Sequence, residues 1–235
     1  MTTRISTSTQ VATPSLLRGL LRPVLVSSAF FMLLTGLAYP LVTTVAANLL
    51  FPFQAGGSLL ERDGRVVGSL LIGQQFDRPE YFQSRPSVTQ GTDPSDPAKT
   101  VTTPYNAGLS GASNLGPTSQ RLLDAVRERV EAYRRLNGLD PQAQVPVDAV
   151  TASASGLDPH ISVANALIQA RRVARLRQLP EDGLLKLVRA HTAGRTFGLL
   201  GEPRVNVLQL NLALDALAAS RQLPLAVSEQ ENHHE

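Results

Sequence analysis

The 235-residue chain has no cysteine, no tryptophan, two methionines and an aromatic content of only 5%. The lack of cysteine excludes a disulfide framework, thiolate metal ligands and a cysteine nucleophile. Packing and hydrogen bonds alone must therefore hold the fold. Acidic residues are absent before Glu61, and charge of either sign is absent between Arg22 and Glu61. Chemistry-bearing motifs are missing as well. There is no Gly-x-x-x-x-Gly-Lys-[Ser/Thr] phosphate loop, no Gly-x-Ser-x-Gly elbow, no His-Glu-x-x-His zinc motif and no Asp-Lys-Thr-Gly phosphorylation signature. The chain carries no ATPase engine of its own, and no catalytic residue or metal site is assigned.

The uncharged region contains the dominant feature, the apolar run 24–45. As a helix it spans roughly 33 Å, enough to cross the bilayer hydrocarbon with slight tilt. Gly36 and Pro40 lie inside it, and membrane helices tolerate both better than soluble ones. A cleaved signal peptide is the competing reading, because Pro40 followed by Val45-Ala46-Ala47 resembles a helix break before a small-residue cleavage site. The run exceeds the usual apolar region of about 7–15 residues, which favours an uncleaved anchor.

Arg4, Arg18 and Arg22 precede the run. The positive-inside rule then keeps residues 1–23 as a cytoplasmic arm and sends residues from 46 onward outside. Removing those three from the 22 Lys and Arg leaves 19, equal to the 19 Asp and Glu, all of which follow the run. The outer portion is neutral, so the net charge of +3 is an orientation signal and implies no nucleic-acid partner.

Beyond the anchor, residues 48–57 form a short collar rich in Leu and Phe. Two strands then flank an Asp63-Gly64 turn (58–61 and 66–73), a strong hairpin signal. Tyr81-Phe82 is expected to pin a short extended piece onto the core, with Arg78 and Arg85 beside it solvated or salt-bridged. Residues 84–117 read as irregular. Within them 88–104 is a variable excursion, and 105–116 is a Gly/Asn-rich loop of the kind that can cradle a phosphate but is more often a structural turn.

Helices are predicted at 118–136, 159–177, 180–191 and 207–219, and 145–150 as extended. Leu122, Val126, Val130 and Tyr133 define the inner face of the first, with its charge run solvated. The second is expected to begin with Asp158 as N-cap and Pro159 at the first helical position. Ile161, Ala164, Leu167, Ile168 and Val173 supply its apolar face, and Arg171, Arg172, Arg175 and Arg177 complement its C-terminal dipole. The best case for an enzyme joins Ser153 or Ser155 with Asp158, His160 and His191, a nucleophile, a carboxylate and a base by residue type only. His233 and His234 form no metal site without further ligands.

Several runs occur together in order: Leu34-Thr35-Gly36-Leu37-Ala38-Tyr39-Pro40-Leu41-Val42, Gly68 to Gln74, Tyr81 to Ser87, Ser110 to Gly116, Val150 to Ser162 and Val205 to Asp215. Together they resemble the C subunit of the bacterial Kdp-type potassium-transporting ATPase, over about residues 19–220. The Thr151-Ala152-Ser153-Ala154-Ser155-Gly156-Leu157-Asp158 run is the most specific of them.

The resemblance implies an accessory subunit of the bacterial inner membrane, needed for assembly. Its partners would be a potassium-binding channel-like A subunit, a P-type ATPase B subunit and a small F subunit. The complex, and not this chain, would handle ATP and potassium. The family has also been described as a catalytic chaperone that raises the ATP affinity of the B subunit. The nearest match to the nucleotide-contact proposal is Leu109-Ser110-Gly111-Ala112-Ser113. Gly36, Tyr39 and Pro40 are candidates for membrane-helix packing, and Asp158 and His160 for structural or partner contacts.

The expected architecture is α+β. It comprises the arm (1–23), one transmembrane helix (24–45), a single extracytoplasmic domain (46–222) with a short β-hairpin and about four helices, and a flexible tail (223–235). A membrane-anchored envelope hydrolase or binding module is the alternative.

Overall fold

The computed structural model describes residues 16–222, with side chains from 19 to 219. Most of the expected arm and all of the tail, including His233 and His234, lie outside the described residues. The chain divides into two compact units, Met1–Gly57 and Ser58–Glu235.

The first unit is helical: α1 (Leu16–Leu33), a π-helical turn (Leu34–Ala38), α2 (Tyr39–Leu50) and the single-turn α3 (Pro52–Ala55). The stretch Gly19–Leu50 is long and apolar enough to cross a membrane and is not buried within the chain. It exceeds the expected 24–45 at both ends. The π turn has a local cause. Pro40 has no N–H, and in an α-helix its ring would clash with the Gly36 carbonyl. Widening the helix before the proline, with the Tyr39 N–H reaching back to the Leu34 carbonyl, relieves that clash. Polar side chains along the helix donate to their own backbone: Thr35 to the Phe31 carbonyl at 2.7 Å and Asn48 to Thr44 at 2.8 Å. In an apolar medium such back-bonding lowers the cost of carrying a hydroxyl or amide.

In the second unit, β1 (Leu59–Arg62) and β2 (Arg65–Ser69) pair antiparallel around Asp63-Gly64. Both turn residues have positive φ, 53° and 72°, as a type I′ hairpin turn requires. The second strand ends at Ser69, short of the predicted Gly73, because the Ser69 hydroxyl accepts the Leu71 N–H and turns the chain. The stretch 88–104 is no loose excursion. It contains a second hairpin, β3 (Gln90–Asp93) and β4 (Asp96–Thr102). Asp93 organises the turn by accepting the Ser95 N–H and hydroxyl at 2.8 and 2.6 Å. The β-branched run Thr100-Val101-Thr102 is the strand signal that the Pro, Gly and Asp around it conceal.

α4 (Gln120–Asn137) matches the prediction and ends at Gly138 in the left-handed region. Its charged residues are only partly solvated: Arg129 donates to the Val150 carbonyl and Arg134 to Ala143. Residues 147–150 form the short α5 (Val147–Val150) rather than an extended piece. β5 (His160–Ser162) then precedes α6 (Val163–Arg177), so the helix starts four residues later than predicted. The cap is Ser162, whose side chain accepts the Asn165 N–H at 3.1 Å while Asp148 binds Ser162 and Asn165 from outside. α7 (Glu181–Ala190), β6 (Thr192–Ala193), β7 (Arg204–Asn206) and α8 (Val207–Gln222) complete the unit, with sheet order β5-β7-β6, all antiparallel.

The core lies among α6, α7, α8 and this sheet: Ile161, Val173, Leu184, Val188, Val205, Leu210 and Leu214, with Phe82 inserted from the extended segment before β3. The inner face of α6 departs from expectation. Ala164 and Leu167 are exposed, and the buried positions include Asn165, Gln169 and Arg172. The reason lies in the 79–84 segment, which has no strand neighbour to bond its backbone. Gln169 accepts the Gln83 N–H and donates to its carbonyl (2.7 and 3.1 Å). Asn211 on α8 does the same for Phe82 at 2.9 Å each way. Arg172 donates to the Pro79 and Tyr81 carbonyls, Asn137 and Gln169. Burial brings its guanidinium down to about 10, so it stays cationic at neutral pH.

Replacing Asn211 with alanine leaves two buried backbone groups of Phe82 unpartnered, at about 1–3 kcal/mol each. We expect the detergent-purified Asn211→Ala chain to unfold several degrees below the wild type in a thermal scan.

Candidate functional site

The motif-bearing residues converge on one region of the second unit. Gly156 (φ 69°) turns the Thr151–Asp158 run, and a Cβ there would lie 2.4 Å from Thr89 Cγ2 and 2.9 Å from the Gly111 carbonyl. Three strands of chain meet at this glycine. The Ser87 hydroxyl donates to the Gly156 carbonyl at 2.7 Å. Ser110 Oγ and the Gly111 N–H both donate to the Ser155 carbonyl at 3.0 Å. Gly73 N–H donates to the Leu157 carbonyl at 2.8 Å, and Tyr105 packs so closely on Gly73 that a Cβ there would meet its ring at 2.4 Å.

Arg85 and Asp158 form the polar centre. Arg85 Nη1 meets Asp158 Oδ2 at 2.9 Å, and the rest of its fork reaches the carbonyls of Thr151 and Ala152 at 3.4–3.5 Å. The other Asp158 oxygen accepts the His160 N–H at 3.0 Å and lies 3.2 Å from His160 Nδ1. Asp158 is therefore an ion-pair and turn residue, not the helix cap expected of it. Burial alone would raise its carboxyl, but the hydrogen bonds from His160 and the charge and hydrogen bond of Arg85 outweigh it and hold the carboxyl below its usual range. The Tyr105 phenol, which donates to the Arg85 carbonyl, is pushed up to about 12, mainly by burial.

Asp158 and His160 touch, but among the described residues no hydrogen bond links either to Ser153 or Ser155. Ser155 Oγ accepts the Leu157 N–H at 3.1 Å and lies 3.4 Å from Ser153 Oγ, while His191 Nδ1 sits 2.9 Å from the Leu187 carbonyl. A nucleophile–base pair is not assembled. A cavity of about 380 Å³ opens beside this region, with Arg85, Arg129, Tyr133, Asn165 and Gln169 in its walls. Leu109–Ser113 do not line it. Its cations already have partners, Asp158 and the Val150 carbonyl.

Sequence reading missed the second junction, around Asp215 at the end of the Val205–Asp215 run. Its carboxylate accepts from Tyr81 Oη at 3.1 and 3.2 Å, Arg177 at 3.0 Å and Arg62 at 3.4 Å, and Arg177 stacks over the Tyr81 ring at 4.3 Å. It ties the first hairpin and the extended segment to α6 and α8. In the first unit, a Cβ on Gly36 would meet nothing within 4 Å. The chain itself does not require glycine there.

The family model described as the K+-transporting ATPase c chain, KdpC, matches residues 21–216. The chain is 59% identical over 196 residues to a protein of Rhodopseudomonas palustris named potassium-transporting ATPase KdpC subunit, covering 83% of this chain and 96% of that one. Proteins of the same name from Methylobacterium nodulans and Bradyrhizobium diazoefficiens are 59% and 55% identical, with 84% and 85% of this chain covered and 97% and 98% of theirs.

Two substitutions check the geometry. Gly156→Ala combines a disfavoured φ with contacts against Thr89 and Gly111, and should destabilise the chain by more than about 2 kcal/mol. For Asp158, the folded carboxyl titrates below the unfolded value of about 3.9. The stability it contributes is full above that value and disappears as pH falls through the folded pKa. Urea unfolding should accordingly show a constant wild-type advantage over Asp158→Asn from pH 7 to 5, shrinking below about pH 4.

Proposed function

The chain belongs to the KdpC family of potassium-transporting ATPase subunits, and we propose that it is the single-span accessory subunit that supports the complex from the outer face of the inner membrane. The carrying observation is the coexistence of a family match over residues 21–216 with one membrane-length apolar helix among the described residues, at the N-terminal end of that match and without charge from Pro23 to Leu50. The arginines before the span and the neutral composition after it support an N-terminus in the cytoplasm and the Ser58–Glu235 unit outside.

The reading assigns ion conduction to a channel-like A subunit and ATP hydrolysis to a P-type B subunit, with a small F subunit beside them. Gly36, Tyr39 and Pro40 mark the face of the span that packs against partner helices, since a glycine without a neighbour inside its own chain lets another backbone approach closely. We rank outer-face support above direct contact with ATP. An outer domain does not meet cytoplasmic nucleotide, and Ser110 and Gly111 of the suggested Leu109–Ser113 contact already bond Ser155. A role in raising the ATP affinity of the B subunit would then act through assembly or conformation.

A tagged full-length chain purified in mild detergent should bring a P-type ATPase and a channel-like subunit in equal amounts. Deleting 58–235 while keeping the anchor should abolish potassium uptake at low external potassium, and normal uptake by that truncation would remove the proposal. The purified subunit should show no saturable binding of fluorescent ATP analogue, and Ser110→Ala should change nothing.

A further inference from the structure

Between β6 and β7 the chain makes an apolar finger. Thr196 and Leu200 exchange backbone hydrogen bonds at 2.9 and 3.0 Å, the Leu199 N–H also reaches Thr196 and the Gly198 N–H reaches Arg195. At its base Arg195 Nη2 contacts both Glu202 carboxylate oxygens at 2.8 Å. On this frame Phe197, Leu199 and Leu200 are 90%, 78% and 64% exposed. Other large exposed apolar residues of this unit, such as Val66, Leu123 and Val147, stand singly along the chain. Phe197 is also held at φ 54°, a region that bulky residues avoid. A hydrogen-bonded turn that displays three large apolar side chains, one on a strained backbone, is a pre-organised contact.

We propose that Phe197, Leu199 and Leu200 insert into a concave apolar pocket on another subunit of the same potassium-transporting complex. This rests on the accessory-subunit reading above. Charge argues for protein over lipid: Arg195 is neutralised by Glu202, and Arg204 at the base of the turn is the one other Lys or Arg between residues 190 and 220, short of the cationic cluster that draws loops to anionic headgroups. An irregular turn in hydrocarbon would also strand backbone polar groups that a protein pocket can bond. A second copy fits less well, since a two-fold contact would set one convex finger against another. Aromatic anchors in such pockets dominate interface affinity.

The test places photoreactive benzoylphenylalanine at Leu199 in the tagged full-length chain, expressed with its companion subunits, and identifies adducts by mass. An adduct with one co-purifying subunit supports the proposal. An adduct with lipid or with a second copy of this chain, or no adduct from an intact complex, overturns it. In parallel, Phe197→Asn should cut the companions retained on washing by about tenfold or more. Asparagine accepts positive φ, so the melting temperature of the isolated chain should stay level or rise. Equal retention by wild type and Phe197→Asn overturns the finger alone. A wild-type chain that arrives without companions overturns the accessory-subunit reading, and the finger's docking with it.

Discussion

A length of chain with no strand neighbour, residues 79–84, sets the terms for the rest of the second unit. Phe82 is buried and its neighbours from Glu80 to Ser84 are half-buried, and amides withdrawn from water need partners. Side chains act in place of a neighbouring strand. Gln169 and Asn211 each bond one residue on both its N–H and its carbonyl, and Arg172 collects two further carbonyls. This explains why α6 buries amides and a guanidinium beside Ala170 and Val173, and why among the described residues no buried side-chain polar atom lacks a partner. Such a network specifies one arrangement sharply, because any slip leaves several polar groups unpaired at once.

The Thr151–Asp158 run extends the same logic. Its glycine brings three segments to van der Waals contact, and Arg85 and Asp158 neutralise each other where they meet. The carbonyls of Ser155, Gly156 and Leu157 each accept a bond from a different segment. A motif that looks chemical by composition is a structural knot. Membership of the KdpC family gives this chain an accessory role in potassium uptake.

The long elements were legible because their periodicity is strong: α4 with Gly138 after it, α7, the apolar start of α8, and the Asp63-Gly64 hairpin. The long apolar N-terminal helix was legible from the absence of charge after Arg22. The start of α6 was not, because Asp158-Pro159 is a good cap sequence locally, while the pairing of β5 with β7 draws His160–Ser162 into a sheet that no local signal announces. The polar inner face of α6 was equally hidden, since its partners in the 79–84 segment are 86 or more residues away in sequence. The second hairpin was masked by its turn residues. The Phe197–Leu200 finger did carry a signal, large apolar residues set between glycines, but only exposure in the fold separates it from a core turn.

The central claim is that the Ser58–Glu235 unit lies outside the cytoplasm as a docking body, and the cysteine-free sequence makes its location directly measurable. A single cysteine at the exposed Thr118 would be the only thiol in the chain. Labelling spheroplasts with a membrane-impermeant maleimide should modify Thr118→Cys fully, with no gain on permeabilisation. Labelling that appears only after the inner membrane is opened would place the unit in the cytoplasm and contradict the account.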